Sequence, residues 1–131
     1  MNGYADPELL IGKWLQGALG EVKVWLDPNL PGNWRYTAPL VHVQRGRSLD
    51  VLAVTLDDVT LDVDVYAANA DHARQVASDV CSAVEFGLRG HTFDNGVTVA
   101  FAKAITRPIW APDPGVCRRT AAYEVVLHGL A

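Results

Sequence analysis

The segment LDVDVYAANADHAR, residues 61–74, decides the fold because a strand pattern changes directly into a helix pattern within it. Apolar and polar side chains alternate at first, so Leu61, Val63 and Val65 share one face of a strand. After Asn69 the apolar spacing becomes that of a helix, with apolar residues at Ala73, Val76, Ala77, Val80 and Val84. A strand that leads directly into an amphipathic helix predicts a small α+β domain.

The rest of the chain predicts a second helix and several more strands. The tripeptide Asp6-Pro7-Glu8 supplies a capping carboxylate, a first-turn proline and an acidic residue at the positive end of the helix dipole. We therefore expect helices over residues 7–19 and 70–86. We expect strands over residues 21–26, 40–45, 51–55, 59–66, 97–102 and 120–128, with Val97, Val99 and Phe101 in one phase and an irregular proline-rich loop over 108–115.

The short connections between these strands favour antiparallel pairing, since a parallel crossover needs a dozen or more residues. The predicted fold class is α+β, with a mainly antiparallel sheet and two helices packed on one face. A chain of 131 residues predicts one domain, residues 1–131.

Composition argues against several classes of protein. Half of the residues are apolar and a fifth are charged, which is typical of a globular core. The net charge of −4 argues against a general nucleic-acid binder. The sequence contains no apolar run of the roughly 20 residues that cross a bilayer, so we expect no membrane partner. Two cysteines are too few for a disulfide scaffold and favour a reducing compartment.

The strongest candidates for catalysis are Asp62 and Asp64, which lie on one face of a strand, about 7 Å apart. That spacing suits a cation or an acid/base pair, and a small enzyme or ligand-binding domain using both is one alternative. The other is a polar sheet face, paired with arginines of a neighbouring strand or subunit. The four histidines lack zinc spacing, and the sequence has no phosphate-binding glycine loop or nucleophile motif. We therefore expect that the protein is not an enzyme and that it binds neither a cofactor nor a metal ion.

Two tryptophans and two arginine pairs are candidates for an interface. Trp34 and Trp110 fall in proline-rich stretches, where aromatic side chains act either as local packing or as interface anchors. Short basic pairs are either solvated edges or partners of an acidic face on a neighbouring copy. The complete set of candidate interface residues is Trp34, Arg45, Arg47, Asp62, Asp64, Trp110, Arg118 and Arg119.

An ordered set of motifs resembles the tail terminator (tail completion) proteins of long-tailed phages, especially those of actinobacteriophages. The set covers nearly the whole chain, and its order carries more weight than any one motif. Its members are Asp-Pro at 6–7, Asn-Leu-Pro at 29–31, Leu-Val-His-Val at 40–43, Asp-Val-Asp-Val-Tyr-Ala at 62–67 before an alanine-rich stretch at 73–83, Pro-Ile-Trp-Ala-Pro-Asp-Pro at 108–114, and a strand with Tyr-Glu-Val at 122–127.

The resemblance implies a structural virion protein that forms a sixfold ring on the tail tube. Such a ring ends tube polymerisation and gives the head connector a joining surface at the tail–neck junction, after assembly in the host cytoplasm. The implied partners are further copies of the chain, the tail tube protein and the head–tail connector protein, with DNA passing through the ring lumen without sequence-specific contact. A ring requires two different complementary patches, and the separated acidic and basic residues suit that requirement. A head–tail connector or head-completion protein and a monomeric adaptor are the remaining alternatives.

Overall fold

The computed structural model describes residues 6–27, 29–30, 32, 39–46, 50–53, 56–111 and 116–128. Its helices are α1 (Pro7–Leu19) and α2 (Ala70–Ser82), and α2 continues into a π-helical segment, Ala83–Leu88. Its strands are β1 (Lys23–Trp25), β2 (Leu40–Arg45), β3 (Asp50–Ala53), β4 (Leu56–Ala67), β5 (Thr98–Trp110) and β6 (Cys117–His128).

The strands form one six-stranded sheet in the order β1-β2-β4-β6-β5, and β3 pairs with β4 off this path. The pairs β2–β4, β3–β4, β4–β6 and β5–β6 are antiparallel, whereas β1 and β2 are parallel. Residues 26–39, which join β1 to β2, are enough for a parallel crossover, unlike the short connections between β2, β3 and β4 and between β5 and β6. The predicted α+β class, with a mainly antiparallel sheet and two helices on one face, is confirmed.

The central strand β4 has the two faces that its sequence predicts. Leu61, Val63 and Val65 are buried against the helices, while Asp62 on the other face is exposed. The apolar face of α2 closes on this layer, and all five predicted positions are buried, namely Ala73, Val76, Ala77, Val80 and Val84. Asn69 caps α2 by accepting a hydrogen bond of 2.8 Å from the His72 amide.

Helix α1 has the predicted boundaries. The Asp6 carboxylate accepts a bond of 3.0 Å from the Glu8 amide, and the helix ends at Gly20, whose φ of +66° suits glycine. The Gln16 side chain then fastens the helix to β1. Its Nε2 donates to the Val22 carbonyl at 2.8 Å, and its Oε1 accepts from the Val24 amide at 2.9 Å. One side-chain amide therefore satisfies backbone groups of the edge strand.

The largest departure from the sequence expectation is β5, which continues through Trp110 into the stretch expected to be an irregular loop. Pro108 is tolerated there because β5 is an edge strand, where the missing amide costs no pairing. A register shift between Val99 and Phe101 also changes the expected phase. Ala102, and not Phe101, is buried beside Val99.

The second departure is at the end of α2. We expected an α-helix through residue 86, but the α-helix ends at Ser82 and the wider π-helical segment follows. A β-carbon at Gly87 would lie 3.2 Å from Cη2 of Trp14, so this turn passes close to α1. Arg89, directly after the segment, donates from Nη2 to the Ala102 carbonyl of β5 at 2.7 Å. The segment thus delivers a side-chain donor to the edge of the sheet.

Two glycines in α1 allow a test of how the helix is held. Gly17 has no neighbour within 4 Å of an added β-carbon, whereas one at Gly12 would lie 2.5 Å from Cδ2 of Leu26. We expect Gly17→Ala to raise the free energy of unfolding by about 0.5–1 kcal/mol, because alanine loses less backbone entropy in a helix. Gly12→Ala should gain less than this, or lose stability, because Leu26 must move. Urea unfolding of both variants measures the difference, and equal gains would contradict the close approach of Leu26.

Candidate interaction surface

The sheet face opposite the helices carries the acidic residues of β4. Asp64 Oδ1 lies 3.3 Å from Nη2 of Arg118 on β6, and both side chains are half-buried. Asp64 is therefore paired with a neighbouring strand of the same chain, which was one of the two alternatives for this residue. A contact between Asp64 and another copy has to compete with this internal pair.

Asp62 lies on the same face and remains exposed. Among the described residues it has no ion-pair partner within 4 Å. Its carboxylate lies beside the backbone of Gly46, whose amide donates to the Thr60 carbonyl at 2.7 Å. Of the two predicted acidic residues, Asp62 is the one with its charge open to a partner. In the described ranges no three His, Cys, Asp or Glu side chains form a group that could hold a metal ion.

Arg118 and Arg119 do not form one basic patch. Consecutive residues of a strand point to opposite faces, and β6 separates these two in that way. Arg118 faces Asp64 on the outer side of the sheet. Arg119 lies on the helix side, with its guanidinium 5.5 Å from the ring centroid of Trp110. The two arginines therefore serve different surfaces.

The remaining predicted interface residues have three different outcomes. Trp110 is 45% exposed and lies at the end of the edge strand β5, not in a loop. Arg45 is half-buried on β2, and its backbone amide donates to Oε2 of Glu8 at 2.7 Å, which fixes the first turn of α1. Trp34 and Arg47 lie outside the described residues.

Large apolar side chains are exposed along and beside the edge strand β5, and we call them the edge patch. Its members and their exposed fractions are Phe86 at 83%, Ile105 at 50%, Ile109 at 52% and Trp110 at 45%. They lie on both faces of the sheet, since Ile109 is paired with Thr120 and Trp110 with Arg119. Trp110 is the member that the sequence predicted. Phe86 belongs to the π-helical segment, which is held beside β5 by an ion pair of 3.5 Å between Arg107 and Glu85. The available signal was the recurrence of Ile105, Ile109 and Trp110 among polar residues, but the bulges of β5 concealed the face on which each one lies.

A small polar cluster lies where α2 meets the sheet. The thiol of the partly buried Cys81 donates to Oε1 of Glu85 at 3.0 Å. Burial and the Glu85 carboxylate raise the pKa of the thiol, which keeps it protonated and unreactive at neutral pH. The Tyr123 hydroxyl is buried next to Cys81, without a hydrogen bond of good geometry to any described residue. Burial, followed by the influence of Cys81, raises the pKa of Tyr123 far above its usual range.

Two of the four histidines contribute to packing and to contacts with the backbone. His42 is buried on β2, and its Nε2 lies 2.8 Å from the Asp27 carbonyl oxygen. His91 packs between two aromatic rings, 5.9 Å from Trp14 and 4.9 Å from Phe93 between centroids. These rings and Leu10 of α1 line an open groove of about 370 Å³.

No helix in the described part of the chain is both long and apolar enough to cross a membrane.

Comparisons with known proteins give no family. No protein-family model matches the chain, and no curated protein matches it either. One solved structure without a descriptive name is similar over 90% of this chain and 89% of its own, at 15% identity and a TM-score of 0.42. A likeness of that level supports no inference about function.

The buried Tyr123 hydroxyl predicts a particular alkaline response. Its pKa is raised in the folded protein, so the unfolded chain releases the proton above pH of about 10 while the folded chain retains it. The stability that this group contributes is complete below that pH and is lost as the pH rises, by up to about 1.4 kcal/mol per pH unit. Tyr123→Phe removes the hydroxyl, keeps the ring, and should change stability at pH 7 by less than about 1 kcal/mol.

The measurement is urea unfolding of both proteins from pH 7 to pH 11, followed by tryptophan fluorescence. The Tyr123→Phe protein should lose less stability than the parent above pH of about 10. Parallel curves over the whole range would show that the Tyr123 proton is released equally in both states.

Proposed function

We propose that this chain is a structural virion protein of the tail terminator type, which forms a sixfold ring on the tail tube of a long-tailed phage. The ring ends tube polymerisation and presents a surface to the head connector. The ordered motifs of the sequence support this proposal. Three of them fall on defined elements, since the Asp-Pro motif starts α1, residues 62–67 lie in β4, and residues 122–127 lie in β6.

The observation that carries the proposal is the edge patch. A small domain that works alone rarely exposes several large apolar side chains along one strand, and such patches mark protein interfaces. In this chain they lie on the last strand of the sheet, with Phe86 beside them. We assign the patch to a contact with a second copy.

Charge favours a head-to-tail contact over a contact between two identical patches. The β5 edge carries basic side chains, with Arg89, Lys103 and Arg107 beside the edge patch. The exposed carboxylate of Asp62 lies two strands away, on β4. Two identical edges would bring like charges together, whereas an edge against the outer face of β4 brings opposite charges together. A contact between different patches is the kind that closes into a ring.

The apolar residues should contribute most of the association energy. Exposed ion pairs contribute only about 0.2–1 kcal/mol each, and Lys103 and Arg107 already have partners in their own chain, at 3.7 Å from Glu124 and 3.5 Å from Glu85. Buried aromatic and aliphatic anchors each cost about 2 kcal/mol or more when truncated at the centre of an interface. The ion pairs therefore fix the orientation of the subunits more than their affinity.

Mass in solution tests this assignment. The protein should assemble to several times the 14.2 kDa of one chain, alone or with tail tube protein. Ile109→Ala and Trp110→Ala should each shift the assembly towards monomer, with an affinity loss of about tenfold or more. Leu9→Ala is the matched control, because Leu9 is 45% exposed on α1, away from the patch. Light scattering across a concentration series gives the mass of each variant.

Two results would contradict the proposal. If the protein stays monomeric at high concentration, and also with tail tube protein present, it does not assemble into a ring. If Ile109→Ala and Leu9→Ala weaken association equally, the edge patch is not part of the interface. Assembly that occurs only with the head connector protein would instead favour a connector in the neck.

Salt should weaken the assembly only modestly. Raising NaCl from about 0.1 M to about 1 M shortens the screening length from about 10 Å to about 3 Å, which affects mainly the exposed pairs. We expect the association constant to fall by less than about tenfold, because apolar burial is not screened. The mass measurement repeated at both salt concentrations gives this ratio. A collapse to monomer at high salt would show that charge pairing carries the contact.

A further inference from the structure

A second surface pocket lies on the helix side of the molecule, between α2 and the adjoining ends of β5 and β6. Its volume is about 230 Å³, and its lining residues are Arg74, Ser78, Cys81, Pro108 and Arg119. The three residues from α2 follow one another at spacings of four and three, so they form one face of the helix. Two guanidinium groups and a hydroxyl therefore share one pocket on a chain whose net charge is −4.

Arg119 is the fixed cation of this pocket. Its guanidinium lies 5.5 Å from the centre of the Trp110 ring, within the range of a cation–π interaction, which restrains the side chain. Its Nε is buried without a hydrogen-bond partner, and no carboxylate of the described chain lies within 4 Å of the group. A guanidinium presents five N–H donors in one plane, so Arg119 offers several donors that no protein carboxylate uses.

The other charges around the pocket do not cancel this cation. Arg74 is bound to Asp71 at 3.1 Å, but both side chains are highly exposed, and such pairs are weak enough for Arg74 to turn to another anion. Glu85 is engaged in its own contacts, since it accepts from the Cys81 thiol and pairs with Arg107 at 3.5 Å. Among the described residues, Asp71 and Glu85 each pair with one arginine, and Arg119 is left without a carboxylate partner.

We propose that this pocket binds a phosphate-type oxyanion, either free or as a monoester, held by Arg119 and Arg74 with Ser78 as a third donor. Arginine suits this class because its planar fork donates two parallel hydrogen bonds to neighbouring oxygens of phosphate. The volume of about 230 Å³ is several times the roughly 30 Å³ share of one water molecule, so an oxyanion has room. All five lining residues belong to one chain, so the proposal does not rest on ring formation, although Trp110, which lies against Arg119, also belongs to the edge patch.

The test is a titration of the full chain with inorganic phosphate, in chloride buffer of constant ionic strength. The readouts are isothermal calorimetry and the NMR resonance of the Arg119 Nε–H group. We expect millimolar affinity and a saturable shift of that resonance. Arg119→Gln should weaken binding by about tenfold or more, and Arg119→Lys by less, because lysine retains the charge and loses the fork. Arg118→Gln is the matched control, since the adjacent arginine faces the other side of the sheet.

Further arms of the titration separate the sources of the anion. Glycerol phosphate that binds at least as tightly as inorganic phosphate supports a monoester ligand, while tighter inorganic phosphate supports the free ion. Acetate that binds as tightly as either would overturn the phosphate assignment in favour of a carboxylate. The proposal is also overturned if no resonance shift saturates below about 50 mM phosphate, which is well above the millimolar range. Equal losses in Arg118→Gln and Arg119→Gln would show a non-specific response to charge. Circular dichroism confirms that each variant is folded.

Discussion

The uninterrupted pairing of β4 with β6 is the constraint on which the rest of the structure depends. The two strands pair residue by residue from Leu56 with His128 to Ala67 with Cys117, without a bulge. A shift of one residue would exchange the two faces of β4, and would place Asp62 and Asp64 under the helices in place of Leu61 and Val63. Burying unpaired carboxylates costs far more than the shift could gain, so the hydrophobic pattern permits one register.

That register determines which face of the sheet the helices cover. Only Ala68 and Asn69 separate β4 from α2, so the apolar side of α2 closes directly on the strand that precedes it. Helix α1 is attached differently, through polar side chains that reach backbone groups. Gln16 satisfies β1 and Glu8 satisfies the end of β2, so the helix replaces neighbours that these short strands lack. Side chains of α1 thus supply hydrogen-bond partners to backbone groups that have no neighbouring strand.

Local patterns explain why some elements could be predicted and others could not. The boundaries of α1 and the faces of β4 and α2 depend on caps and periodicity within the segment itself, and both could be predicted. The course of β5 depends on bulges opposite β6, which no pattern within β5 reveals. The same limit applies to the surface. Arg118 and Arg119 look like one basic pair in the sequence, but a strand sends them to opposite faces, where one meets Asp64 and the other Trp110.

The π-helical segment has a consequence for how this chain tolerates insertions and deletions. Its wide turn holds one more residue than an α-helical turn and sets the direction in which Arg89 leaves the helix. Deleting a single residue between Ala83 and Leu88 would rotate everything after it by about 100° about the helix axis. The Arg89 guanidinium would then leave the Ala102 carbonyl, and an edge strand now guarded at that point would present a bare backbone acceptor to other chains. Length variation at this turn would therefore open the edge strand to addition of another strand at the Ala102 carbonyl.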